Sequence, residues 1–260
     1  MNPNLLTEFS LFGQHLADHA RDIALSFFRN LKSVQYKKDN SPVTMADREI
    51  ETKIRELIME KYPKHAVFGE ECTPISSEEP WTWVIDPIDG TRSFISGKPT
   101  FGCLIALLYE QKPMLGIIEM PALNERWLGV YERNSTHNGI SCYTNQSRAL
   151  SEATVFATSI DMFETNEQTA FDHVSLNARF RNFGADCYAY GLLASGYTDI
   201  VMESSMAIHD FLALVPVVEG AGGCISDWQG KPLNFGSGKQ VLATANSSLH
   251  EECLHLINNN

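Results

Sequence analysis

The sequence predicts an α/β (α+β) protein in which helical and sheet segments alternate along the chain. Three observations carry that expectation. Leu5, Phe9, Phe12, Leu16, Ile23 and Phe27 recur at helical spacing near the start. Three apolar runs, Phe101 to Tyr109, Met114 to Met120 and Arg126 to Tyr131, are separated by turn residues, the pattern of an antiparallel meander. An Ala/Leu-rich stretch ending at Gly196 and an apolar stretch from Phe211 to Gly223 then return to helix.

Taken in order, the first helix is expected over about 4 to 31, with its apolar stripe facing a core. Lys37 to Val43 is a polar connector. Thr44-Met45-Ala46-Asp47 has the form of a capping box ahead of Ile50, Ile54, Leu57 and Ile58, so a second helix should run from about 44 to 61, where Pro63 stops it. Ala66-Val67-Phe68-Gly69 is a short buried strand ending in Glu70-Glu71. Trp83-Val84-Ile85 leads a further strand into Asp86, with Asp89 expected on the loop that follows. After the meander, 132–150 is polar and loop-like, and His137 reads as a surface residue. Ala153 to Ser159 is a strand candidate, 160–180 is helix or irregular, and Thr198 to Glu203 is another strand. The helix over 211–223 contains Pro216, and Asp210 stands at its N-cap position. No repeat or flexible linker is visible, so two packed halves, 1–150 and 151–260, are expected.

Composition narrows the function. A chain of 260 residues with 43% hydrophobic and 20% charged residues can bury a substantial core. Its formal net charge of −12 argues against nucleic acid or an anionic membrane surface as the main partner. No run approaches the roughly 18 apolar residues of a membrane span, and the N-terminus lacks a basic region followed by an apolar one, so a cytoplasmic location is expected. The six cysteines form no Cys-x-x-Cys pair and several lie in apolar runs, the pattern of reduced core thiols.

The stretch with most chemistry is Trp83-Val84-Ile85-Asp86-Pro87-Ile88-Asp89-Gly90-Thr91. Two carboxylates three residues apart repel unless a cation lies between them. Hard ions such as Mg²⁺ take oxygen ligands from one or two carboxylates together with substrate phosphate. The alternative is plain turn punctuation by Asp-Pro and Asp-Gly. Other acids are equally two-sided. Glu70 is a candidate ligand or base, or half of a solvated acid pair; Asp47 is a candidate site residue, or a helix N-terminal charge favoured by the macrodipole; Asp210 is a candidate ligand or a helix cap, and His209 flanks it.

Gly69-Glu70-Glu71, the Trp83-to-Thr91 stretch, Ser41-Pro42-Val43-Thr44-Met45-Ala46-Asp47 and an Asp at the head of a helix ending in Gly-Ala-Gly-Gly together resemble the signature of the inositol monophosphatase superfamily. The resemblance covers about residues 35 to 245. Gly90-Thr91-Arg92-Ser93-Phe94-Ile95-Ser96-Gly97 and Gly184-Ala185-Asp186-Cys187-Tyr188-Ala189-Tyr190 are closer to the histidinol-phosphate phosphatases of that fold. The superfamily usually has Trp-Asp or Tyr-Asp where this chain has His209-Asp210.

That resemblance implies a layered αβαβα sandwich, often a homodimer, that hydrolyses a small phosphorylated metabolite with two or three Mg²⁺ ions. Glu70, Asp86 and the Ile88 carbonyl would hold one ion, and Asp86, Asp89 and Asp210 a second. Gly90 and Thr91 would offer backbone N–H groups to phosphate. Glu70 and the Thr91 hydroxyl would orient the attacking water, and Asp47 would bond to Thr91 or to a water at the metal. Arg92, Asp186, Glu203 and His209 would face the substrate. The implied reactions are hydrolysis of L-histidinol phosphate or, alternatively, of inositol monophosphate, a sugar bisphosphate or a nucleotide 3′-phosphate. A non-catalytic metal- or phosphate-binding regulator is a third reading.

Overall fold

The computed structural model describes residues 3–30, 34–36 and 42–259. Most of the polar connector expected over Lys37 to Val43 therefore lies outside the described residues. The chain runs α1 (Pro3–Phe27), β1 (Gln35–Tyr36), β2 (Pro42–Val43), α2 (Met45–Lys61), β3 (Ala66–Gly69), β4 (Trp81–Asp89), α3 (Thr91–Ile95), β5 (Gly102–Tyr109), β6 (Lys112–Met120), β7 (Glu125–Val130), β8 (Thr136–His137) and β9 (Ile140–Ser141). It continues through β10 (Thr154–Ala157), α4 (Thr165–Ser175), β11 (Phe180–Phe183), α5 (Tyr188–Ala194), β12 (Ile200–Glu203), α6 (Ile208–Phe211), α7 (Leu214–Gly220), β13 (Cys224–Ser226), β14 (Val241–Thr244) and α8 (Ser247–Asn258). None of the described helices is long and apolar enough to cross a membrane.

β1 and β2 pair with each other as a separate two-stranded sheet, and two large sheets organise most of these elements. One has seven strands in the order β3-β4-β5-β6-β7-β8-β9; the other has five, in the order β11-β10-β12-β14-β13. The expected meander is present, since β4 through β9 pair antiparallel with their sequence neighbours, while β3 joins β4 in parallel.

The layer order follows from alternation along the strands. Successive residues of a strand face opposite sides of its sheet. On β5, Cys103, Ile105 and Leu107 pack with Leu16, Ala20, Ile50 and Ile54 of α1 and α2, whereas Leu104, Ala106 and Leu108 pack with Leu193 of α5 and Val217 of α7. On β12, Val201 shares that same middle core, while Ile200 and Met202 pack with Phe171 of α4 and Leu249 of α8. The central strands of each sheet, β5 and β6 in one and β12 and β14 in the other, are covered on both faces, which is why they read as continuous apolar runs rather than alternating ones. The result is an αβαβα sandwich with three hydrophobic cores.

Several expectations are corrected. The first helix stops at Phe27 because Arg29 takes φ +59°, which a helix cannot continue, and its guanidinium reaches the Gly97 carbonyl at 2.9 Å. His137 is no loose loop residue: it lies on β8 and stacks on Trp127 with the rings 4.3 Å apart. The single helix expected over 211–223 is two, α6 and α7, and Pro216 falls in the first turn of α7, where its missing N–H costs nothing. The six cysteines are all free thiols, four of them buried.

Candidate active site

The site grows from the end of β3 and β4. Gly69 pairs with Ile85 in parallel register, so the residues that follow, Glu70 and Asp86, leave neighbouring strands side by side. The loop just after Glu70 is held from below. Buried Glu51 of α2 accepts the N–H groups of Glu71 at 2.7 Å and Cys72 at 3.0 Å, and Arg55 Nε donates to the same carboxylate at 2.7 Å. Arg55 in turn donates to the carbonyls of Thr73 and Cys72 at 3.0 and 3.2 Å. A Cβ at Gly69 would collide with the Glu51 carboxylate, so only glycine fits there.

Asp89 lies on β4 itself, contrary to the expected loop. Asp86 opposes Leu104 and Asp89 opposes Gly102, three residues against two, which is a β-bulge. On an unbroken strand, residues three apart face opposite sides; the extra residue returns Asp89 to the side of Asp86. Pro87 sits inside the bulge, beyond the last residue paired with β3, where no ladder N–H is required of it. Gly90 then takes φ +79° and opens α3.

Asp210 arrives from the middle layer. It is the third residue of α6 rather than its N-cap, and its Oδ2 accepts the Ala207 N–H at 2.7 Å. Asp86, Asp89 and Asp210 can bring one carboxylate oxygen each within 4.8 Å of one another, and Glu70, Asp86 and His209 can do the same with two oxygens and a ring nitrogen. His209 Nε2 stands 3.3 Å from Asp210 Oδ1. Buried Asp86 Oδ1 and His209 Nδ1 have no hydrogen-bond partner among the described residues.

These carboxylates face a cavity of about 220 Å³ lined by Glu70, Asp86, Ile88, Asp89, Gly90 and Thr91 on one side and by Asp186, Glu203 and Asp210 on the other. Thr91 Oγ1 donates to the Ile88 carbonyl at 3.1 Å. Asp89 Oδ2 accepts the Cys187 N–H at 2.6 Å, and Asp186 Oδ2 accepts the Ser93 hydroxyl at 2.6 Å. Glu203 is spanned by the Thr158 N–H at 2.8 Å and the Tyr190 hydroxyl at 2.9 Å.

Three expected site residues, Arg92, Asp47 and His209, are not part of the cavity lining, and His209, expected to face the substrate, lies beside Asp210 instead. Arg92 is exposed on α3, near enough to Asp186 to favour its charge. Asp47 is buried and caps α2: its Oδ2 accepts from Thr44 N at 2.8 Å and from Thr44 Oγ1 at 2.6 Å. The sequence reading missed Thr158, Met162, Ser204, Ser205 and Met206, which complete the lining, and Glu51, which braces the loop just after Glu70. Only Glu51 left a trace in the sequence, an acid on the apolar side of a helix one residue from Ile50.

The electrostatics are those of an acid cluster short of positive charge. Burial pushes the Asp86 carboxyl well up, and Glu70, Asp89, Asp210 and Asp47 push it further. Burial followed by Asp186 and Asp210 does the same to Asp89, against the Cys187 hydrogen bond. Asp210 is raised by burial, partly offset by His209. Asp47 is lifted to about 6 by burial against its bonds to Thr44, and Glu203 to about 7, again mainly by burial. An ion at the centre would reverse this balance, because a bound cation is the largest local charge in such a site.

Sequence and structure comparisons place this arrangement. The chain matches the inositol monophosphatase family over residues 6–260. It is 42% identical to a bifunctional phosphatase, IMPL2, of Arabidopsis thaliana chloroplasts, over 96% of this chain and 75% of the relative. It is 35% identical to a histidinol-phosphatase of Chlorobaculum parvum, over 94% of both chains. An inositol monophosphatase structure from Zymomonas mobilis superposes with a TM-score of 0.88 at 41% identity, over 96% of this chain and 98% of the other. The chain belongs to the inositol monophosphatase family. It is a phosphatase, and its αβαβα sandwich is that family's fold.

Proposed function

We propose that the protein is a Mg²⁺-dependent phosphomonoesterase that hydrolyses L-histidinol phosphate to L-histidinol and phosphate. The observation that carries the metal is Asp86 Oδ1, a buried carboxylate oxygen without a partner among the described residues, facing three more carboxylates across a small cavity. The donor set fits Mg²⁺: Glu70, Asp86, Asp89, Asp210 and the Ile88 carbonyl offer only hard oxygen. When bound, two or three such ions supply charge neutralisation for the phosphate and activation of the water nucleophile.

The chain's own residues carry the rest. Glu70 and the Thr91 hydroxyl orient the attacking water; Thr91 donates to Ile88 and so keeps its oxygen available as an acceptor. Gly90 and Thr91 approach the phosphate with their backbone. The P–O bond to water forms as the ester P–O bond breaks, and the alcohol leaves with a proton. Asp47 acts as a positioning residue through the cap of α2.

Substrate choice rests on the far wall. Asp186 and Glu203 line the same cavity as the metal-binding acids, and a leaving group carrying an ammonium and an imidazole suits a wall of carboxylates. The Chlorobaculum relative is named for that reaction. The inositol reading is favoured by the Zymomonas neighbour, because the same carboxylates accept hydrogen bonds from a polyol.

Phosphate release by the EDTA-stripped protein, with Mg²⁺ returned, is the deciding assay, run on histidinol phosphate and inositol 1-phosphate side by side. A preference of about a hundredfold for the former, roughly 2.7 kcal/mol, supports the assignment. Equal rates or the reverse preference sink it, and no Mg²⁺-dependent release from either ester sinks metal-dependent catalysis itself.

A further inference from the structure

We propose that His209 is a metal ligand, so that one of the two cation sites, formed by Glu70, Asp86 and His209, has a mixed nitrogen–oxygen donor set and selects Mn²⁺ and its later first-row neighbours over Mg²⁺. The inference deepens the phosphatase reading and rests on it only in requiring a divalent ion at this cavity.

Geometry supports it from three directions. Glu70, Asp86 and His209 can place two oxygens and one ring nitrogen within 4.8 Å of one another, close enough to share an ion. Asp86 is 2% exposed, and its Oδ1 lacks a partner among the described residues. His209 Nδ1 is buried and equally without a partner there, while Nε2 stands 3.3 Å from Asp210 Oδ1. A ligating imidazole commonly turns its second ring nitrogen toward a carboxylate, which fixes ring orientation and raises the basicity of the ligating nitrogen. Here Asp210 stands beside Nε2, and one of the two ring nitrogens is within reach of Glu70 and Asp86.

The position of His209 explains why it can do this. Asp210 faces Asp86 and Asp89, and its predecessor on the short α6 faces Asp86 and Glu70 instead. Asp86 belongs to both groups and would bridge them. Imidazole suits the later first-row metals better than Mg²⁺, whereas the Asp86, Asp89 and Asp210 group offers oxygen alone and keeps the hard-ion character. The protein would therefore hold two unlike sites.

The test reads nitrogen coordination directly, on the full chain. Mn²⁺ is the probe, because its pulsed electron-spin-echo signal records a coordinated ¹⁴N nucleus and because it avoids the six free thiols that would compete for Zn²⁺. We expect ¹⁴N modulation in the wild type, its replacement by a ¹⁵N pattern when only histidine is ¹⁵N-labelled, and its loss in His209→Gln. The labelling arm needs no variant, so a folding defect in His209→Gln cannot obscure the answer. In that variant the Mn²⁺ dissociation constant should rise tenfold or more, with the Mg²⁺ constant moving less than threefold. Bound Mn²⁺ with no histidine ¹⁴N modulation overturns the inference and leaves the phosphatase reading standing. Failure of the protein to bind Mn²⁺ or Mg²⁺ overturns both.

Discussion

Tyr190 donates its hydroxyl hydrogen to Glu203 Oε2 at 2.9 Å, and both side chains are buried. The bond ties α5 to the end of β12 at the wall of the cavity. Burial lifts the Glu203 carboxyl from 4.5 to about 7, so the folded state favours its protonated form. A raised carboxyl pKa means that the folded protein binds the proton more tightly than the unfolded chain. Its stabilising contribution is therefore complete below 4.5 and is lost as pH rises through about 7. Glu203→Gln should remove that loss, leaving the metal-free variant more stable than wild type at pH 8 by about 3 kcal/mol but little changed at pH 4.5. Thermal unfolding in EDTA at several pH values measures it. Parallel pH curves for the two proteins would contradict the assignment.

Asp86→Asn separates stability from function. Burial and four neighbouring acids oppose its charge, so the metal-free variant should melt above the wild type at pH 7. Its phosphatase activity should fall by at least about a thousandfold, roughly 4 kcal/mol of transition-state stabilisation. The rise in melting temperature on adding Mg²⁺ should also disappear. Calorimetry with and without Mg²⁺, beside a phosphate-release assay, tests all three.

Glu51 has no contact with the cavity, yet it shapes the site through the loop that carries Glu70. Glu51→Ala would leave Arg55 buried without its carboxylate and the N–H groups of Glu71 and Cys72 without an acceptor. A stability loss of about 3–5 kcal/mol is expected from breaking such a pair. Glu51→Gln, which keeps the shape, should retain most of the fold but bind Mg²⁺ about 10- to 100-fold more weakly. Isothermal titration of the Gln variant decides whether the brace matters to the metal.

Gly90 is required twice over. Its φ is +79°, and a Cβ there would lie 2.7 Å from Asp186 Cγ. Gly90→Ala should cost at least about 1–2 kcal/mol and push Asp186 away from Ser93. Urea denaturation gives the first quantity. An unchanged midpoint would show that the turn relaxes freely.

Asp186 is the lever for substrate choice. Asp186→Asn should lower kcat/KM for histidinol phosphate about tenfold relative to inositol 1-phosphate, a change of roughly 1.4 kcal/mol. If the ratio of the two specificity constants stays the same, the carboxylate wall does not select the cationic alcohol.

Sequence alone determined the kind of elements present and the acids of the site. Helical periodicity marked α1 and α2, apolar runs with turn punctuation marked β5 to β7, and the spacing of Glu70, Asp86, Asp89 and Asp210 carried the family resemblance. These are local signals, set by propensity, capping and the period of the backbone. Tertiary structure decided how the acids meet. The parallel register that places Glu70 beside Asp86, the bulge that turns Asp89 to the same side, and the approach of α6 from the middle layer all depend on pairing between segments far apart in the chain. It also decided which buried acid does what, because Asp47 closes a cap and Glu51 braces a loop although both are carboxylates on one face of α2. An isolated acid carries the same chemistry wherever it stands. Its partners, its burial and the charges around it come from the packing of distant elements, and no local pattern encodes them.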